Sequence, residues 1–216
     1  MLPLNLGNGH AKLRVLCLGA HSDDIEIGCA GTLLRWAREY DSIEVTWAVL
    51  SASGERGREA RRSANNLLRG ASSRELVLGD FEDAHMAADF RRVKGFLGEL
   101  RRRNEVDVVM THCLEDRHQD HRLVAEMTWQ TWRDHLILEY EIPKYEGDLG
   151  QPNVFAPIPG PLVERKLRHL ARHFGSQRSK DWFHDATFRA LMHLRGVECR
   201  SPSGFAEAFH CRKSVI

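Results

Sequence analysis

The stretch Leu13-Arg14-Val15-Leu16-Cys17-Leu18-Gly19-Ala20, followed directly by His21-Ser22-Asp23-Asp24, decides how the chain is read. An apolar run of this length ending at a polar cluster fits a strand buried on both faces of a sheet. From Ile27 the period changes: Ala30, Leu33, Leu34 and Ala37 recur at helical spacing, with Arg35, Arg38 and Glu39 on the other side, so a helix is expected to about Tyr40. The alternation then repeats. Strands are expected over 43–50, 75–78 and 106–111, interleaved with helices over 55–69, 87–103 and 122–135. Further on, 136–142 reads as a strand and 143–161 as a loop rich in Pro, Gly and Asn with one short strand at 154–156. Segments 162–174 and 182–194 read as helices and 206–212 as a closing strand. Such alternation implies right-handed βαβ units. The expected fold is α/β, a three-layer Rossmann-like arrangement with a mainly parallel sheet and helices on both faces, formed by one domain over 1–216.

Composition agrees with a domain of this kind. The 216 residues are 42% hydrophobic and 28% charged, the profile of an ordinary soluble protein. Lys plus Arg (31) nearly balances Asp plus Glu (30), which argues against a nucleic-acid binder working by counterion release. The five cysteines are widely spaced and contain no CxxC pair, so neither a disulfide framework nor a thiolate zinc site is expected, and the cytoplasm is the expected compartment. The segment from Met1 to Lys12 lacks the basic and apolar regions of a leader, and no apolar run is long enough to span a bilayer; neither secretion nor membrane insertion is expected. The unusual feature is 12 His, because His is the commonest metal ligand and proton shuttle.

Two segments place histidine beside carboxylates. His21-Ser22-Asp23-Asp24 follows the first strand, at the edge where open parallel sheets gather their functional groups. It offers one nitrogen and one oxygen ligand for a divalent metal, with a second carboxylate free to accept a proton. Side chains in a tight loop cannot all point one way, so Asp23 and Asp24 would divide these roles. The competing reading makes one of them a helix cap, worth about 1 kcal/mol. Gly28 and Gly31 do not complete a GxGxxG fingerprint. The second segment, Thr111-His112-Cys113-Leu114-Glu115-Asp116-Arg117-His118-Gln119-Asp120-His121-Arg122, follows the fourth strand. In a doubly wound sheet the first and fourth strands are neighbours at the switch point, so both segments would face one cleft. His118 and His121 share a face if the helix has begun, and Asp120 can accept a hydrogen bond from a ring nitrogen and fix its tautomer. Glu115, Asp116, Arg117 and Arg122 read as a solvated charged turn, Glu115 and Arg117 above all.

Together, His21-Ser22-Asp23-Asp24…Gly28…Gly31-Thr32 and Asp116…His118-Gln119-Asp120-His121 resemble the two signature motifs of the LmbE-like, or PIG-L, family of zinc-dependent N-deacetylases. Ser22 and Gln119 stand where the family often has Pro, and neither supplies the chemistry. The resemblance implies His21, Asp24 and His121 as protein ligands of Zn²⁺ and Asp23 as general base. It also implies His118, tuned by Asp120, as the group that stabilises or protonates the tetrahedral intermediate. The implied substrate is a small N-acetylated amino sugar of the N-acetylglucosamine type, or its conjugate, cleaved to acetate and a free amine. In Ser53-Gly54-Glu55-Arg56-Gly57-Arg58-Glu59-Ala60, Arg56 and Glu59 match the family's Arg-x-x-Glu segment, whose Arg commonly contacts a substrate hydroxyl or phosphate; an exposed Arg-rich helix face is the alternative. Asp83 resembles a family Asp near the substrate, and Ser176-Gln177 a short family element near the site.

The remaining histidines call for less. His112 ends a strand beside the cleft; it suits a place behind the metal ligands, but a satisfied, partly buried residue is the favoured expectation. His10, His135, His169, His173, His184, His193 and His210 stand without a carboxylate constellation and read as structural or surface groups. Trp129, Trp132 and Trp182 suit either core packing or stacking on a sugar. Two other readings stay open: a metal phosphoesterase, disfavoured because only one three-ligand set assembles, and a non-catalytic sugar or nucleotide module with a structural metal, which a closed four-ligand site would mark. Specificity is expected from the 143–161 loop and the C-terminal region. The pattern is compatible with a homo-oligomer and does not choose among N-acetylated substrates.

Overall fold

The computed structural model describes Leu6 and residues 12–215; His10 and nearly all of the stretch before Lys12 lie outside the described residues. The chain runs β1 (Lys12–His21), α1 (Asp24–Glu39), β2 (Ser42–Ser51), α2 (Gly54–Leu67), β3 (Ser73–Leu78), α3 (Phe90–Arg103), β4 (Val108–His112), α4 (Gln119–Thr131) and β5 (Leu136–Tyr140). It continues through β6 (Val154–Pro157), α5 (Gly160–His173), α6 (Asp185–Glu198) and β7 (Ala206–His210). The strands form one sheet in the order β3-β2-β1-β4-β5-β7-β6. The first five are parallel, and β7 pairs antiparallel with both β5 and β6. This is the expected three-layer α/β fold.

The unbroken apolar run in β1 follows from its position. Leu13, Val15 and Cys17 belong to the core cluster under α1, α2 and α5, whereas Leu16, Leu18 and Ala20 belong to the opposite cluster with Val93 and Leu97 of α3 and Val124 and Met127 of α4. Alternate side chains leave a strand on opposite faces, and both faces here are covered by helices, so every position from Val15 to Ala20 lacks a polar side chain, and Arg14 lies before the buried stretch. Register sets β1 beside β4, with Val15 opposite Val108 and Cys17 opposite Met110. From β1 the chain crosses to β2 on one side, and from β4 to β5 on the other. Their carboxyl ends therefore flank the switch-point crevice.

Several boundaries differ from the sequence reading, for local reasons. The first helix begins at Asp24 rather than Ile27, because the polar loop itself enters the helix. The fourth starts at Gln119, where His118 caps it by accepting a hydrogen bond from the Asp120 amide, and it stops before the buried Trp132. The last helix starts at Asp185, capped by His184, and leaves Trp182 outside it. The fourth strand begins at Val108, since Asp107 is taken up by Arg14, accepting from its amide and guanidinium at 2.7–3.1 Å. Among the described residues no helix is long and apolar enough to cross a membrane.

The packing of α1 sets the position of the polar loop before it. Gly28 lies against the Tyr140 ring, where a Cβ would stand 2.3 Å from a ring carbon. Three residues on, the Gly31 and Thr32 amides each donate at 2.7 Å to Glu207 of β7, whose carboxylate also receives the buried Lys166 ammonium of α5 at 2.7 Å. The missing side chain at Gly28 is thus a packing requirement and not a phosphate cradle. Gly28→Ala should overpack this contact and destabilise the fold by about 1–3 kcal/mol; a urea unfolding midpoint equal to that of the unsubstituted protein would contradict it.

Candidate metal and catalytic site

The turn between β1 and α1 is held by Asp24, whose Oδ2 accepts the His21 backbone N–H at 2.6 Å. Asp23 is the residue before the helix, yet its side chain makes no capping hydrogen bond. Neither carboxylate therefore acts as the simple helix cap. The division of labour follows from the turn: Asp24 points inward to the imidazoles, and buried Asp23 points to α2, where Arg56 Nη2 donates to its Oδ1.

His21 and His121 converge on Asp24. His21 Nδ1 is 3.1 Å from His121 Nε2 and 3.5 Å from Asp24 Oδ2, and His121 Nε2 is 3.5 Å from Asp24 Oδ1. Ligands 2.0–2.1 Å from a tetrahedral zinc are separated by roughly 3.3 Å. Two imidazole nitrogens and the Asp24 carboxylate, which offers one oxygen to each of them, suit such an ion, and they border a cavity of about 220 Å³. That cavity is lined by His21, Asp23, Asp24, Arg56, Asp83, His118 and His121, and Asp120 stands behind its wall within 3.3 Å of His21, so the structure brings together all the expected site residues.

The ring nitrogens opposite these donors are also engaged. His121 Nδ1 lies 2.9 Å from Asp116 Oδ2, and His21 Nε2 lies 2.9 Å from Asp83 Oδ1 and 3.3 Å from Asp120 Oδ2. Asp120 is fully buried and accepts the Ala84 amide at 2.7 Å and the Met86 amide at 3.3 Å. Its carboxylate therefore orients His21; towards His118 it presents its backbone N–H, which donates to His118 Nδ1 at 3.3 Å. That bond leaves the proton on His118 Nε2. The side chain of Asp83 is 63% exposed, so it sits at the rim rather than in the interior.

Burial and charge act in opposite directions here. Burial pushes Asp24 upward, but the His121 and His112 rings outweigh it and hold the carboxyl well below its usual range. Burial also disfavours the His21 cation, yet hydrogen bonds to Asp120 and Asp24 raise this group well above an ordinary histidine. His121 is pushed down to about 4 by burial and by the neighbouring His112, and is neutral at pH 7. Asp23 is raised by burial, an effect that the Arg56 charge opposes. His118 is lowered, by burial first and then by His21.

Some site features were not read from the sequence. Asp116, expected in a solvated turn, is buried and orients His121, whereas Glu115 and Arg117 are exposed as expected. His112 is wholly rather than partly buried; its Nε2 accepts the Ala20 amide at 2.9 Å, lies 3.2 Å from Asp24, and its ring stacks on His121. Glu59 does not reach the cavity but receives the Ser176 amide at 3.0 Å, fixing the turn that brings Gln177 to the wall. Trp182 also lines the cavity, while Trp132 is core and Trp129 donates to Glu139. Another cluster, Cys113, Glu115 and Glu139, is bridged by Arg212, which donates to both carboxylates.

The chain is similar to known proteins in sequence and in fold. A deacetylase of Escherichia coli K12, named YaiS and described as uncharacterized, is 25% identical over 178 residues, covering 78% of this chain and 94% of the relative. The N,N'-diacetylchitobiose deacetylase of Pyrococcus horikoshii superposes with a TM-score of 0.69 at 18% identity, covering 92% of this chain and 83% of that one. The 4-carboxy-2-hydroxymuconate hydratase GalB of Pseudomonas putida KT2440 superposes with a TM-score of 0.70 at 18% identity, covering 94% and 98%. Identities this low in the solved structures speak for the fold alone, and the hydratase shows that the fold carries more than one chemistry. The PIG-L family, described as GlcNAc-PI de-N-acetylase, matches residues 16–132, over half of the chain and the whole of both motif segments; the protein belongs to this family of deacetylases.

Proposed function

We propose that this protein hydrolyses the acetamide of an N-acetylated amino sugar of the N-acetylglucosamine type, or of a conjugate of one, with Zn²⁺ held by His21, Asp24 and His121. The observation that carries the reading is the convergence of His21 Nδ1, His121 Nε2 and the Asp24 carboxylate within 3.1–3.5 Å of one another, with a second carboxylate, Asp23, on the adjacent cavity wall. An open three-ligand zinc site lowers the pKa of a bound water to about 7 and polarises a carbonyl oxygen.

The protein's own groups supply the proton chemistry. Asp23 takes a proton from the water as its oxygen bonds to the acetamide carbon, and returns it to the nitrogen as the C–N bond breaks, giving acetate and the amine. The Arg56 charge opposes the burial that raises Asp23, and its Nη2 donates to Asp23 Oδ1 beside the cavity. His118, with its proton on Nε2, donates to the carbonyl oxygen as that atom becomes negative, an interaction whose loss costs on the order of 10²–10³ in rate at comparable sites. A neutral donor suffices for this role, in keeping with the lowered His118. At the rim, Asp83 offers an acceptor to sugar hydroxyls, and half-buried Trp182 offers a ring face for an apolar sugar surface. The unpaired state of all five cysteines supports a cytoplasmic enzyme.

Amine release from a panel of N-acetylated sugars, sugar nucleotides and glycosyl-inositols, with zinc supplied, tests the reaction; no release from any of them would overturn it. Protein purified without chelator should carry one zinc per chain, lost in His121→Ala, and a metal-free preparation of the unsubstituted chain would refute the ligand set. Asp23→Asn should keep the metal and lose at least about 10²-fold in kcat, the range of general-base catalysis. If that variant instead lost its zinc, Asp23 would be a ligand. Removing the Arg56 cation raises the Asp23 carboxyl further, so Arg56→Met should move the acid limb of kcat/KM to higher pH. A limb that stayed in place or moved to lower pH would separate Arg56 from Asp23.

A further inference from the structure

The loop after β5 does more than border the cavity. Lys144 is unusual in it: the side chain is only 7% exposed, and its Nζ lies 3.0 Å from Asp116 Oδ2 and 2.7 and 2.8 Å from the two oxygens of Asp148. Asp148 in turn accepts the Arg117 amide at 2.7 Å. Gly147, with φ of +58°, reverses the chain so that Asp148 returns onto Lys144. The loop is thus tied twice to the segment 116–118, once at a side chain and once at the backbone.

Asp116 is the group at which this tie meets the metal site. Its Oδ1 accepts the His118 amide at 2.8 Å, and its Oδ2 lies between His121 Nδ1 at 2.9 Å and Lys144 Nζ. An imidazole ligand presents the correct nitrogen only while its other nitrogen is held, and such outer partners change metal affinity by about 10–100-fold. Lys144 supplies the ammonium among the partners of this buried carboxylate, whose other contacts are the His118 amide and the His121 ring.

We propose that Lys144 is a positioning residue for the metal. By anchoring Asp116 it keeps the proton of His121 on Nδ1 and turns Nε2 towards His21 and Asp24. The proposal rests on the reading of His121 as a ligand. It means that the 142–148 segment, which also lines the substrate cavity through Lys144, Tyr145 and Glu146, couples metal retention to the wall that meets the substrate.

The test is the zinc dissociation constant of the purified full chain, measured by chelator competition for the unsubstituted protein, Lys144→Met, Lys144→Arg and His121→Ala, beside the melting temperature of each metal-free form. Lys144→Met should bind zinc at least about tenfold more weakly, with a smaller effect on metal-free melting than on affinity. Lys144→Arg, which keeps the charge, should recover most of the affinity. Unchanged affinity in Lys144→Met, with zinc lost in His121→Ala, overturns the positioning role alone. Zinc bound normally by His121→Ala overturns the site assignment and this role with it. Should Lys144→Met not fold, Asp148→Asn takes its place: releasing Lys144 from its second anchor should weaken zinc in the same direction, and unchanged affinity there overturns the proposal.

Discussion

Everything at the carboxyl edge of the sheet depends on the buried carboxylate of Asp24. It closes the β1–α1 turn through the His21 amide and stands within 3.5 Å of ring nitrogens of His21, His112 and His121. An isolated carboxylate at this depth would be neutralised, since desolvation penalises its charge by several kcal/mol. The imidazoles around it reverse that outcome, and Asp24 stays ionised. A negative group fixed by the backbone, with ring nitrogens on two sides, suits the cation proposed for this site. The ionic surroundings are as constrained as the donors, because Asp116 and Asp120 are themselves buried and hold His121 and His21 from behind.

The same turn sets two adjacent aspartates in different surroundings, as the proposed roles require. Asp24 faces a group of histidines and is pushed down, whereas Asp23 faces one guanidinium and is pushed up by burial. A ligand needs a low carboxyl pKa and a proton acceptor needs one nearer the working pH. The turn at the head of α1 creates the difference, because consecutive residues there project to opposite sides. The helix is held at the correct depth by contacts remote from the cavity, Gly28 against Tyr140 and Gly31 with Thr32 on Glu207.

The fold and the polar motifs were legible because their signals are local. Unbroken apolar strands, helical periodicity and the order of segments are enough to place β1 beside β4 and so to bring His21-Ser22-Asp23-Asp24 to His118 and His121. What was not legible depends on tertiary partners. Asp116 and Glu115 are neighbours with similar side chains, yet one is buried behind His121 and the other is exposed, and only the packing of Lys144 against Asp116 separates them. Asp120 was expected to tune His118 and instead lies beside His21, because the Ala84 and Met86 amides from the loop after β3 turn its carboxylate that way. His112 carried no pattern beyond its place at a strand end, and its burial follows from the stacking of His121 on it.

The most direct test of the account is an anomalous difference map at the zinc edge from a crystal grown with zinc. The account predicts one strong peak about 2.0–2.2 Å from His21 Nδ1, His121 Nε2 and an Asp24 oxygen, with Asp23 outside bonding distance. A peak bonded to Asp23, or one at Cys113, Glu115 and Glu139 with the His21 site left empty, would contradict it.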